Sequence, residues 1–141
     1  MPCEITVAKS GSISAFILGD LKPCVKADIL YDGMVTHIDR VLFDTGANVT
    51  VVNPSVVPDD PDCDGDLEMQ DIRHKARSKT LYCSISFCSG EIVLEHVPVQ
   101  IFDLDYFNSG DIDLIIGMDV IILGELTVKK SGTLPVINFK I

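Results

Sequence analysis

Apolar and polar positions alternate along much of this chain with the two-residue period of half-buried strands, not the longer period of an amphipathic helix. Residues 25–31 (Val-Lys-Ala-Asp-Ile-Leu-Tyr) show the pattern, and Asp32-Gly33 separates them from a second run over 34–38. An Asp-Gly pair between two such runs predicts a tight hairpin. Residues 40–43 form a short, largely apolar strand that runs directly into Asp44-Thr45-Gly46-Ala47. Residues 49–52 are rich in β-branched side chains, and Pro54 and Pro58 stop regular structure behind them. Residues 81–87 and 91–102 predict another hairpin around Ser89-Gly90, and 113–122 predict a strand leading into one short helix ended by Gly124. The tail, 126–141, holds two more strand-like runs. With no internal repeat and no low-complexity linker, the expectation is one all-β domain over residues 1–141, a closed or nearly closed barrel with one short helix.

Length and charge narrow what such a domain does. The 141 residues suffice for one core but not for two lobes. The formal charge of −10 repels phosphate backbones and anionic lipid, so neither nucleic acid nor membrane is an expected partner. No apolar run approaches the roughly 20 residues of a membrane helix, and Met1-Pro2-Cys3-Glu4 lacks the basic-then-apolar layout of a secretion signal. Cys3, Cys24, Cys63, Cys83 and Cys88 are odd in number and show no C-x-x-C spacing. They fit reduced packing thiols in a cytoplasmic protein, with no zinc site and no redox pair. Cys83 and Cys88, five apart, would face opposite sides of one straight strand. His37, His74 and His96 are far apart and fit ordinary surface or strand positions.

The candidate chemistry lies at Val41-Leu42-Phe43-Asp44-Thr45-Gly46-Ala47. This run sets a carboxylate at the end of an apolar strand, followed by a small hydroxyl residue and a glycine that lets another backbone approach closely. Peptide hydrolysis by carboxylates needs two of them sharing one proton, one as general base on a water, the other hydrogen-bonding the carbonyl under attack. The bare triplet arises by chance in on the order of a few per cent of chains this long, and a turn capped by its Asp is the competing reading.

Its context adds weight. Asp-Thr-Gly-Ala behind an apolar strand, with Ile115-Ile116-Gly117 about seventy residues on, resembles the retropepsin-like (retroviral-type, clan AA) aspartic peptidases. The runs Asp113-Leu-Ile-Ile-Gly-Met-Asp-Val-Ile, Gly124-Glu-Leu-Thr-Val and Ala27-Asp-Ile-Leu-Tyr-Asp-Gly are similar to the bacterial, prophage-associated branch, and the likeness spans roughly residues 13–141. The resemblance implies a retropepsin-like closed β-barrel with one short C-terminal helix, acting as a homodimeric endopeptidase without cofactor or metal. Asp44 would be the catalytic carboxylate and Thr45 would hydrogen-bond across the dimer axis. Gly46 would offer its carbonyl to the polypeptide substrate, with Ala47 and Asn48 beside it. Ile115-Ile116-Gly117 would pack behind the turn, and the terminal strand over 136–141 would supply the dimer interface. One Asp-Thr-Gly per chain makes the dimer obligatory for catalysis.

Two features depart from the family pattern. Many viral members pair an acid where Asn48 stands with an arginine where Met118 stands, and here both charges are missing. The flap, placed at 66–79, contains no glycine, although family flaps have Gly-rich tips. The second departure favours a rival function, a non-catalytic peptide-binding or assembly module on the same fold. Asp60, Asp62, Asp64 and Asp71 have the spacing of a calcium loop, yet Pro58 and Pro61 oppose a preceding helix and Asp71 is a short last ligand. A solvated acidic loop, neutralised by the basic run 73–79, is the expectation.

Overall fold

The computed structural model describes residues 4–18, 22–23, 25–57, 65–70, 75–104, 112–131 and 134–141. Twelve strands form along these segments: β1 (Thr6–Lys9), β2 (Ser12–Leu18), β3 (Lys22–Pro23), β4 (Val25–Tyr31), β5 (Met34–Phe43), β6 (Thr50–Val52), β7 (Gly65–Gln70), β8 (Lys75–Phe87), β9 (Ile92–Ile101), β10 (Leu114–Ile116), β11 (Glu125–Ser131) and β12 (Leu134–Lys140). One short helix, α1 (Met118–Ile121), separates β10 from β11. The fold is all-β, as the period-2 pattern predicts. β9, β6, β10, β5, β4 and β8 pair in that order, and a β8–β9 pairing closes them into a six-stranded barrel.

The β4–β5 hairpin turns at Asp32 (φ 49) and Gly33 (φ 77), the left-handed pair that a two-residue turn requires. The runs at 34–38 and 40–43 join into one ten-residue strand. Val25 pairs with Val41 while Ala27 pairs with Ile38, so β5 carries one extra residue there. That bulge absorbs the consecutive polar pair Asp39-Arg40 and returns Val41 and Phe43 to the core face. The β8–β9 hairpin turns through Cys88, Ser89 and Gly90, all at positive φ. Cys88 therefore sits in the turn and not on the strand, while Cys83 is buried in the core.

β5, β6 and β10 are covered on both faces. Val41, Phe43, Val52, Leu114 and Ile116 enter the barrel core, while Val51 and Ile115 join Phe102, Leu104 and Ile112 in a second cluster against which Leu42 packs. A second sheet, ordered β11-β12-β2-β3, attaches to the barrel through Phe139 of β12. Its ring lies 5.2 Å from that of Phe43, which in turn lies 5.9 Å from Phe87. Residue 43 is thus clamped by two aromatics one step before Asp44.

Two expectations change here. The terminal strand has no free edge, because β12 is paired along β11 on one side and along β2 on the other. It cannot extend a sheet into a second copy without giving up one of those partners. The region 66–79 forms a hairpin in which Gly65–Gln70 pairs with Lys75–Thr80. β8 meets β9 only from Lys79 onward, so this hairpin projects beyond the barrel. Its connection, 71–74, lies outside the described residues, as do Asp60, Asp62, Asp64 and His74, so the calcium expectation has no described ligand set. Among the described residues no helix is long and apolar enough to cross a membrane.

Candidate active site

β10 threads between the two strands that flank the Asp44 turn. It pairs parallel with β5 (Leu114 with Val41, Ile116 with Phe43) and antiparallel with β6 (Leu114 with Val52). The parallel pairing continues one step into the turn, where the Asp44 N–H donates to the Ile116 carbonyl at 2.9 Å. The turn then closes on itself: the Ala47 N–H donates to the Asp44 carbonyl at 3.2 Å, and the Gly46 N–H to Asp44 Oδ1 at 2.8 Å. The carboxylate is therefore held by a main-chain donor at the end of a clamped strand, and the Asp-capped turn of the competing reading is present as part of the site. Asp44 is half-buried; Thr45, Gly46 and Asn48 are exposed and Ala47 half-buried. All five predicted site residues lie in one continuous turn with its outer side open.

Behind the turn, the backbone is fixed by the segment after β10. The Met118 N–H donates to the Ala47 carbonyl at 2.7 Å and the Asp119 N–H to the Asn48 carbonyl at 3.2 Å. These are first-turn donors of α1, which have no partner within the helix. The approach is so close that a Cβ on Gly117 would lie 2.9 Å from the Ala47 oxygen and nearer still to the Val49 carbonyl. Gly117 has ordinary extended backbone (φ −94, ψ −174), so contact and not conformation demands glycine here.

Two residues with no role assigned from sequence complete the brace. Thr50, fully buried, donates its hydroxyl to Asp119 Oδ1 at 2.8 Å and accepts from the Gly117 N–H at 3.2 Å. The Thr50 N–H donates to Asp119 Oδ2 at 3.2 Å, and Asp119 Oδ1 also accepts from the Val120 N–H at 2.9 Å. Burial raises the Asp119 carboxyl above its ordinary value; the Thr50 hydrogen bonds oppose the shift without cancelling it. Where the resemblance implies an ion pair at the positions of Asn48 and Met118, this chain links turn and helix through main-chain bonds and the Thr50–Asp119 pair. The available signals were a lone hydroxyl in an otherwise apolar strand and an acid just after a glycine at a helix start.

The remaining polar candidates stand apart from this turn. His37 is exposed and paired with Asp28, while His96 is exposed beside Thr6. Burial pushes the Cys83 thiol up to about 12, which keeps it protonated and unreactive. Among the described residues no three His, Cys, Asp or Glu side chains gather to hold a metal. Compared with known protein-family models and with curated proteins, the sequence matches none, so any chemistry for the Asp44 turn is argued from its motif and its geometry.

Proposed function

We propose that this chain is one subunit of a homodimeric aspartic endopeptidase of the retropepsin-like kind, with two copies of Asp44 forming its catalytic pair. The observation that carries this reading is the Asp44 turn: a carboxylate on a braced backbone, buttressed by Ile116, Gly117, Met118 and Asp119, with its outer side open. General acid–base catalysis by a carboxylate pair costs much if the pair shifts by even an ångström, so such rigidity suits a dyad. One carboxylate would take a proton from water as its oxygen attacks the scissile carbonyl carbon. The other, protonated, would give its proton to the carbonyl oxygen. Collapse of the tetrahedral intermediate would break the C–N bond and return a proton to the leaving amine, so that one water is consumed per bond.

The polypeptide substrate would lie extended over Gly46, Ala47 and Asn48, bonded through its main chain as an added strand is. The β7–β8 hairpin, which extends beyond the β8–β9 pairing, would serve as the flap that covers it. Cleavage of a mixed peptide library, blocked by a transition-state mimic of aspartic peptidases and absent in Asp44→Asn, is the expected result. Binding of library peptides without cleavage by the wild-type dimer would favour the non-catalytic module on the same fold.

A further inference from the structure

The end of the barrel away from Asp44 carries a hollow that the catalytic reading does not use. β5 runs from the Asp32-Gly33 turn to the Asp44 turn in ten residues, which at about 3.3 Å per residue sets the two turns roughly 30 Å apart. The hollow, about 180 Å³, lies beside the first of them. Small-molecule sites run to roughly 300–1,000 Å³, so this one suits a single side chain and not a cofactor.

A bulge shapes it. Cys83 pairs with Val97 and Ile85 with Leu94, so Ser84 alone stands opposite both Glu95 and His96. Consecutive strand residues ordinarily face opposite sides of a sheet, yet Glu95 and His96 are both exposed. His96 takes φ 59, a left-handed backbone uncommon outside glycine. Bulges re-aim side chains in this way. Ser84 also pairs with Leu30 of β4, and a small residue between larger neighbours leaves the depression.

The lining and the rim point to an occupant. Asp32 and Glu95 bring two carboxyl groups to the hollow and Tyr31 and Tyr82 two half-buried rings, while neither lysine nor arginine lines it. Beside it the hairpin exposes apolar surface: Leu30 (41%) pairs with Val35 (53%), and Met34 (54%) follows the turn. Carboxylates and aromatic rings together suit a cationic head, and the apolar rim suits its stem and its neighbours. The formal charge of −10 draws in a basic segment and repels an acidic one.

We propose that this end of the barrel docks a polypeptide segment in which a lysine or arginine is flanked by apolar residues. The cationic head sits at Asp32, Glu95 and the two tyrosines, and the apolar flanks cover Leu30 and Val35. The site is separate from the Asp44 turn and does not depend on the peptidase reading; in the proposed peptidase it would anchor substrate far from the scissile bond. Fluorescence anisotropy with a labelled peptide of alternating leucine and arginine tests it, titrated into Asp44→Asn protein so that the probe stays uncut. On that background Asp32→Asn combined with Glu95→Gln should weaken binding about tenfold, and Tyr82→Leu about threefold. Both amide replacements keep the side-chain size, and asparagine suits the left-handed turn position. Glu91→Gln combined with Glu125→Gln removes the same charge from exposed positions outside the hollow and should bind within about twofold of the parent. A leucine–glutamate peptide should not bind. Absence of binding at high micromolar concentration, unchanged binding in either hollow variant, or an equal loss in the outside pair overturns the proposal. Docking in this pattern by a protein whose wild type cleaves no peptide keeps the site and removes the peptidase reading. An active wild type whose Asp44→Asn form binds no probe does the reverse.

Discussion

Replacing Thr50 by valine keeps the shape of a fully buried side chain and removes one oxygen. That oxygen makes two hydrogen bonds, to Asp119 Oδ1 at 2.8 Å and from the Gly117 N–H at 3.2 Å. Losing a bond to a carboxylate costs about 1.5–3 kcal/mol, and leaving a buried N–H unpaired costs about 1–3 kcal/mol. Asp119 keeps the N–H donors of Thr50 and Val120 and is only partly buried, so water offsets part of the first loss. The net expectation is about 2–4 kcal/mol, or a fall in Tm of roughly 6–12 °C for a domain this size. Thr50→Ser is the control: it keeps the oxygen, loses one methyl, and should cost only about 1 kcal/mol. Circular dichroism melts should be run at one protein concentration, because the proposed dimer would make Tm concentration-dependent. A valine variant within about 0.5 kcal/mol of wild type, or no better tolerated serine, would refute the assignment of Thr50 as a hydrogen-bonded brace.

Three further outcomes follow from the same geometry. Gly117→Ala should displace the turn, since its Cβ would meet the Ala47 and Val49 carbonyls; peptidase activity should drop by more than stability alone explains, measured at a temperature where the variant stays folded. Burial raises the Asp119 carboxyl above 3.8, so the folded state holds that proton more tightly. Its contribution is full below the ordinary carboxylate range and is lost as pH rises through the raised value. Asp119→Asn cannot ionise, so wild type should lose stability relative to it as pH rises above the ordinary carboxylate range; parallel denaturant titrations that keep a constant gap would contradict this. Peptidase rates should follow a bell-shaped pH profile with its optimum on the acid side of neutral, because one proton is shared by two carboxylates, and rates still rising at about pH 9 would exclude such a pair.

What could be read from the sequence was what local chemistry dictates. The Asp32-Gly33 turn, the β8–β9 hairpin and the strand running into Asp44 are marked by alternation and by residues that tolerate positive φ. Asp39-Arg40 looked like a strand break because a bulge needs information from the partner strand, where Lys26 alone stands opposite. β7 and the first half of β8 fall in the flap region 66–79, whose acidic and basic runs carry no strand pattern; they pair mainly with each other and so need no apolar alternation. The whole turn from Asp44 to Asn48 is legible as a candidate site in the motif itself. The Thr50–Asp119 pair was not, because 69 residues separate its members and only the threading of β10 brings them together. The hollow at the Glu95-His96 bulge was equally hidden, since it depends on which residues of β4 and β8 stand opposite.

In the proposed dimer each active site takes one Asp44 from each of two chains. Wild type and Asp44→Asn should be co-refolded in varying proportion at constant total concentration and assayed on a peptide that wild type cleaves. Random pairing leaves both carboxylates only in wild-type pairs, so an equal mixture should retain about one quarter of the activity, with rate following the square of the wild-type fraction. A linear dependence, with about one half remaining, or measurable turnover by Asp44→Asn alone, would contradict the account.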